Sequence, residues 1–386
     1  MRKLLTVLTA LCLAAAPAGI AAAAGEGPAL EEKALELEGV SLRFPAVTGM
    51  ADETLQAQVN ARIREDLGAD AYLERVGGLI SDSSRTLTVT WNGMLSGDVF
   101  STLLEAETAT GGRRASHSWA WSSIDLRDGH EITLGELFTD EAAGRERLET
   151  LLEETVAPEL SAHLERSGLT PLPAGFRLEK TGLTLLYDGG QLCTLTGRAG
   201  AVKFGWNEIR DCVDWSEDGI PARVGAAEMT TLTGESAARI RETAESGQLP
   251  DIPVKIGDSV KEWTDRTGLL YDPEEYSGGR MFAPEGAAFR GVYLLSDALT
   301  ASWTESRVQG IRMDRGCLWG LCVGETTAEE WRQVLGEPDY TVAFDAEEAE
   351  YARTVPGNCD YYLYGDYRLQ LQADEEGVLS GITLAQ

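Results

Sequence analysis

Three histidines, His117, His130 and His163, are all the imidazole that this 386-residue chain offers. So poor a supply argues against a His/His/Asp metal site, and no Cys-x-x-Cys or Gly-x-Ser-x-Gly pattern accompanies them. His117 stands between Ser116 and Ser118 in a strand-like stretch. It has the chemistry of a general base, but its setting is that of a partly exposed strand residue. His130 lies in a turn beside Gly129 and Glu131, and His163 follows Glu159 by one helical turn, as a surface pair does. Carboxylates come in runs: Asp272, Glu274 and Glu275; Asp345, Glu347 and Glu348; Asp374, Glu375 and Glu376. Two suitably spaced acids cleave glycosides, and oxygen clusters hold calcium. These runs fall in turns and lack the alternating ligands of a calcium loop, so they read as solvated surface. No cofactor is implied and no catalytic constellation emerges.

The aromatic residues carry more information. Trp119 and Trp121 are two apart on a strand, so both point to the side of His117. An exposed pair of this kind binds sugar rings or anchors a protein partner, whereas a buried pair is core. Tyr361, Tyr362 and Tyr364 cover both faces of one strand, which makes that strand a second surface candidate. The binding candidates are therefore His117, Trp119, Trp121, Tyr361, Tyr362 and Tyr364.

The elements that must hold these residues are mixed. Val40 to Thr48 reads as a strand, with Pro45 at an edge or strand end. Leu55, Val59, Ile63 and Leu67 repeat at helical spacing. Strands follow over 85–91, 98–108 and 116–126, the last two joined through Gly111-Gly112. A helix is expected from Ala142 to His163, then strands near 176–178, 183–187 and 191–196, and a short helix over 204–213. Strands and helices do not alternate strictly, so the fold class is α+β. Residues 216–251 read as a linker with one helix, and 252–386 as a separate module.

That module looks duplicated. Ile256-Gly257-Asp258 leads to Trp263 and Gly268, as Val323-Gly324-Glu325 leads to Trp331 and Gly336. Gly310-Ile311 is answered by Gly381-Ile382. The offset drifts from 67 at the first glycine to 71 at the last, as small loop insertions would make it. Repeats of about 70 residues, near 252–316 and 317–386, predict two helix-then-strand units sharing a core, with Trp263 and Trp331 as matching anchors.

Residues 1–24 have the form of an export signal: Arg2 and Lys3, an apolar run, then Ala22-Ala23-Ala24 before Gly25. The stretch Leu4 to Ala24 is also long enough to span a bilayer, but Pro17 and Gly19 weaken it as a helix. The full chain carries a net charge of −30, and cleavage would leave 31 basic against 63 acidic side chains, a net of −32. Such a surface repels phosphates, which excludes nucleic acid as a partner and favours a cationic one. Cleavage also leaves Cys193, Cys212, Cys317, Cys322 and Cys359 as disulfide candidates. Their odd number leaves at least one unpaired. Cys193–Cys212 stays within one predicted domain, and one pair is available among the other three.

Leu42-Arg43-Phe44-Pro45, the helix containing Asn60, Gly111-Gly112 and the segment from Ser123 to Phe138 together form a pattern. So do Gly182-Leu183, Tyr187, Gly200 and the stretch Val202 to Trp206. On these residues, 38–215 resembles the extracytoplasmic domain pair of lysozyme-sensing anti-sigma factors. The same pair is the amino-terminal part of PdaC-type peptidoglycan deacetylases. The loop after Gly112 departs from that pattern, with Arg113-Arg114-Ala115-Ser116-His117 where Ala-His is usual. The duplicated module is similar to β-lactamase inhibitor protein-like modules. The resemblances imply an exported, non-catalytic binding protein of the cell envelope. Its ligand would be a protein, such as a cationic lysozyme-like one, or a cell-wall glycan. The alternative is a carboxylate- or metal-dependent enzyme acting on envelope glycans.

Overall fold

A computed structural model describes residues 27–157, 172–188, 200–252, 254–261, 274–276, 279–282, 290–297 and 305–386. The chain divides into two compact units, Met1–Glu131 and Ile132–Gln386, a boundary inside the 38–215 stretch read as one domain. Both mix helices with largely antiparallel sheets, so the α+β expectation holds. No described helix is long and apolar enough to cross a membrane.

The first unit is a five-stranded sheet in sequence order: β1 (Ala29–Leu37), β2 (Val40–Thr48), β3 (Arg85–Ser96), β4 (Val99–Thr110) and β5 (Arg113–Asp125). Helices α1 (Glu53–Asp66) and α2 (Ala69–Leu79) enter between β2 and β3. Asp52 caps α1 by accepting from the N–H groups of Thr54 and Leu55, and Val59 and Ile63 point into the core with Leu42, Leu87, Val89, Phe100, Leu104 and Ile124. Gly111 and Gly112, at φ +59° and +76°, form the β4–β5 turn, a conformation that residues with a Cβ resist.

Pro45 is not at a strand end; it lies inside β2, opposite Glu32 of β1, on a stretch whose other side no strand pairs, so the edge expectation holds locally. Pairing of β2 with β3 runs from Val40 to Leu42. Beyond that, Asn60 of α1 takes the place of β3. Its amide accepts from Val47 N–H and donates to Val47 C=O, both at 2.8 Å. Pro45 is two residues away, so its missing N–H faces the same side and breaks no ladder bond.

The second unit begins with α3 (Glu141–Leu151), which continues as a π-turn to Val156. It is followed by a three-stranded sheet of β6 (Gly175–Leu178), β7 (Gly182–Tyr187) and β8 (Gly200–Gly205). The helix expected over 204–213 is instead the end of β8 and a chain of turns, in which Trp206 is buried and donates to Glu179 C=O at 3.0 Å. The stretch read as a linker is built into the core: Met229 and Ile240 are fully buried, the latter on α4 (Ser236–Ser246). Gly320, in the turn between β13 (Cys317–Leu318) and β14 (Leu321–Cys322), donates its N–H to Met229 C=O at 2.7 Å.

An eight-stranded sheet completes the unit. On one side stand β9 (Glu274–Tyr276), β10 (Gly279–Phe282), β11 (Val292–Ser296) and β12 (Gly310–Met313). On the other stand β15 (Tyr340–Phe344), β16 (Gly357–Tyr364), β17 (Tyr367–Ala373) and β18 (Leu379–Ala385). Each group is an antiparallel meander, and they meet where β12 pairs with β18. Helix α5 (Ala328–Leu335) precedes the second group, and α6 (Ala346–Ala352) lies between β15 and β16. The connection carrying α6 folds back over the sheet: Gln372 donates to Val355 C=O and Arg312 to Arg353 C=O.

Backbone hydrogen bonds of the two halves correspond. Gly257 N–H donates to Val308 C=O, Val308 N–H to Asp258 C=O, and Val260 N–H to Ser306 C=O. In the second half Gly324 donates to Leu379, Leu379 to Thr326, and Ala328 to Gly377. Gly257 and Gly324 share a left-handed φ, +94° and +81°. Trp263, the expected counterpart of Trp331, lies outside the described residues, as do residues 158–171 and 191–196.

Candidate functional site

Strands β3, β4 and β5 carry the most ligand-like surface of the first unit. Ser122 of β5 donates to Asp66 of α1, which places the even-numbered residues of β5 on the helix side. His117, Trp119 and Trp121 therefore share the opposite face. The register sets His117 beside Glu107 and Thr88, Trp119 beside Glu105 and Thr90, and Trp121 beside Leu103 and Asn92. The face has a closed end, where Ser101, Leu103 and Ser123 are buried. At its open end Thr88 and Thr90 are exposed, and His117, Trp119, Trp121, Glu105 and Glu107 are half-buried.

The rings on this shelf are ordered. His117 and Trp119 meet edge to face with centroids 5.8 Å apart. The buried indole Nε1 of Trp119 has no acceptor among the described residues. That atom is closed off from solvent, so the ring offers a ligand its half-buried surface rather than this N–H. Two carboxylates, two hydroxyls and two indoles on one pleated face suit a ligand with both apolar faces and hydroxyl edges. Glu105 and Glu107 carry no motif that marks them in the sequence. Their i, i+2 spacing inside a predicted strand was the available signal.

The tyrosine strand divides. Tyr361 is half-buried on the face away from α5 and stacks on Tyr340, with centroids 4.4 Å apart and planes 13° from parallel. Tyr362 and Tyr364 instead belong to the core, where the Tyr362 hydroxyl donates to Gly336 C=O. That burial corrects the expectation that they serve as surface binding residues. The sheet pleat explains it, because α5 and α4 cover the side to which even-numbered residues of β16 point.

One His/Asp group has metal-like spacing: Asp125, Asp128 and His130 place one ligand atom each within 4.8 Å. Buried Asp125 is already clasped by Arg127, whose Nε lies 3.1 Å from both carboxylate oxygens and whose Nη2 donates at 2.7 Å to Oδ2. Asp128 accepts from His130 Nδ1 at 2.6 Å and from its backbone N–H, and these bonds hold the Asp128 carboxyl below the usual range. A cation would have to displace the guanidinium, so the donors fit a turn lock better than a metal centre. The acidic runs act similarly: Asp345 caps α6, and Asp374 accepts from the N–H groups of Glu376 and Val378.

Cys317 and Cys322 form a disulfide across the β13–β14 hairpin. Cys212 and Cys359 are free thiols, and Cys193 lies outside the described residues. Burial pushes the Cys359 thiol up to about 12 and Cys212 up to about 11, so neither is a ready nucleophile.

No family model matches the chain, and no curated protein does. Among solved structures, a DUF3298-family protein from Bacteroides fragilis is 13% identical, with a TM-score of 0.38, covering 51% of this chain and 96% of its own. A DUF3298-family protein from Pseudomonas aeruginosa is 14% identical, with a TM-score of 0.37, covering 49% and 95%. A DUF4309-family protein from Bacillus subtilis is 14% identical, with a TM-score of 0.27, covering 40% and 97%.

Proposed function

We propose that this is an exported, non-catalytic binding protein of the cell envelope whose β3–β5 shelf binds the neutral sugar rings of a cell-wall glycan. The observation that carries the reading is the pair of half-buried indoles, Trp119 and Trp121, on one face with Glu105 and Glu107. Indole faces stack on the C–H faces of sugars. The exposed hydroxyls of Thr88 and Thr90 on the same face exchange hydrogen bonds with the hydroxyl edges of the sugar. A net charge of −30 disfavours phosphate-bearing polymers as ligands. The export signal read in residues 1–24 supplies the location. The corresponding backbone bonds of the two carboxyl-terminal halves support reading 252–386 as a tandem module.

Calorimetric titration with an N-acetylglucosamine pentamer tests the assignment. Binding should weaken about tenfold or more in Trp119→Ala and in Trp121→Ala, the loss expected of a central aromatic contact. Equal affinity in both variants refutes the shelf. A second reading, favoured by the net charge of −30, is capture of a cationic lysozyme-like protein. Titration with lysozyme at low and moderate salt separates the two, because steering by exposed charge fades with ionic strength. Shortening of the pentamer during the titration would favour the enzyme alternative.

A further inference from the structure

Strand β15 is the end strand of the eight-stranded sheet and pairs with β16 alone among the described residues. Its sequence, Tyr340-Thr341-Val342-Ala343-Phe344, has no charge, proline or glycine. Edge strands ordinarily carry charge or proline, or a bulge, to prevent pairing with other chains. Tyr340 is 42% exposed, Val342 37%, and Leu363 on the neighbouring strand 54%. Thr341 donates to Asp360, which also accepts from Trp331 of α5, so Thr341 faces the helix side and Tyr340, Val342 and Phe344 the other. Tyr340 stacks on Tyr361 of β16 on this face.

Charge brackets the strand. From residue 333 to 352 there are six acids, Glu337, Asp339, Asp345, Glu347, Glu348 and Glu350, and no lysine or arginine. Glu337 and Asp339 stand at one end of β15, and Asp345, Glu347 and Glu348 at the other, all exposed. A second copy pairing antiparallel would set Asp339 of one chain beside Asp345 of the other, which like-charge repulsion opposes.

We propose that β15 accepts an added strand from a partner protein: an extended segment of alternating apolar residues with lysine or arginine at both ends. The backbone of the segment would continue the ladder. Its apolar side chains would cover Tyr340 and Val342, and its basic ends would meet the two acidic flanks. This site is separate from the β3–β5 shelf, and its failure would leave the glycan reading standing.

The test uses the full chain and a labelled peptide, Lys-Lys-Val-Thr-Val-Thr-Val-Lys-Lys, followed by fluorescence anisotropy and by hydrogen exchange of residues 340–344. Saturable binding with slowed exchange at 340–344 is expected, and it should weaken about tenfold in Val342→Lys because a charge then stands on the edge. Glu347→Lys leaves the strand intact and should also weaken binding, as should raising salt to about 0.5 M. No binding, or binding unchanged in both variants, overturns the proposal. Equal binding of a peptide with glutamate ends overturns the charge argument. Concentration-dependent protection of 340–344 without peptide overturns it in favour of self-pairing.

Discussion

The indole N–H of Trp331 donates to Asp360 at 2.9 Å, joining the most buried ring of α5 to the strand beside it. Arg332 grips the same carboxylate through two 2.7 Å bonds, and Thr341 donates to it from β15 at 2.7 Å. One acid thus organises a helix and two strands. Burial pushes the Asp360 carboxyl up, but the bonds from Arg332, Thr341 and Trp331 outweigh it and hold it below the usual range.

Trp331→Ala should destabilise the sheet by about 3–5 kcal/mol through the cavity it leaves, and Trp331→Phe by about 1–2 kcal/mol, through the smaller ring and one lost bond to a carboxylate that Arg332 and Thr341 still hold. A folded pKa below the unfolded one gives stability that is present above the unfolded value and lost as pH falls through the folded one. Asp360→Asn should therefore flatten the acid limb of a denaturant-midpoint profile. An unchanged limb would remove Asp360 as its source.

Asn60→Ala should cost about 2–4 kcal/mol, because it strands both backbone groups of buried Val47. Hydrogen exchange at Val47 should accelerate selectively. Equal acceleration across β2 would mean that the amide is not the local lock.

The β13–β14 hairpin separates backbone shape from crosslinking. Gly320 has φ +91°, and an added Cβ would lie 2.3 Å from the Leu232 backbone. Gly320→Ala should cost about 3 kcal/mol or more. Replacing both Cys317 and Cys322 by serine should cost about 2 kcal/mol, as expected for a short closed loop. Thermal unfolding of both variants checks the order, and a milder effect for Gly320→Ala would refute the close packing of this turn.

Alkaline pH should move stability in two opposed ways. Lys203 is enclosed with Glu179 at 2.5 Å and donates to Thr181 at 2.7 Å, and burial lowers its pKa to about 8. Above pH 8 the unfolded chain keeps this proton while the native one sheds it, so stability rises with pH. The raised thiols of Cys212 and Cys359 do the reverse: their contribution is whole below the ordinary value of 9 and is lost as pH climbs through their folded values. Denaturant midpoints should rise from about pH 8 to about pH 9 and then turn over. Lys203→Met should erase the rise, and Cys212→Ser with Cys359→Ser should delay the downturn.

Local chemistry made several elements readable in the chain itself. Helical spacing from Leu55 to Leu67 marked α1, and Gly111-Gly112 marked the β4–β5 hairpin, because both signals depend on neighbours a few residues away. The spacing of Trp119 and Trp121 placed them on one face for the same reason, since strand periodicity is local. Other features depended on partners distant in sequence. Pro45 could sit within β2 because β3 stops pairing at Leu42, and Asn60 then satisfies Val47 on that side. Tyr362 turned inward because α5 and α4 cover that side, and Glu105 joined Trp119 through strand register. Cys322 found Cys317 because the hairpin set them opposite each other, a choice that counting cysteines left open. Sequence spacing determines which side chains share a face; packing across distant segments decides which face meets water.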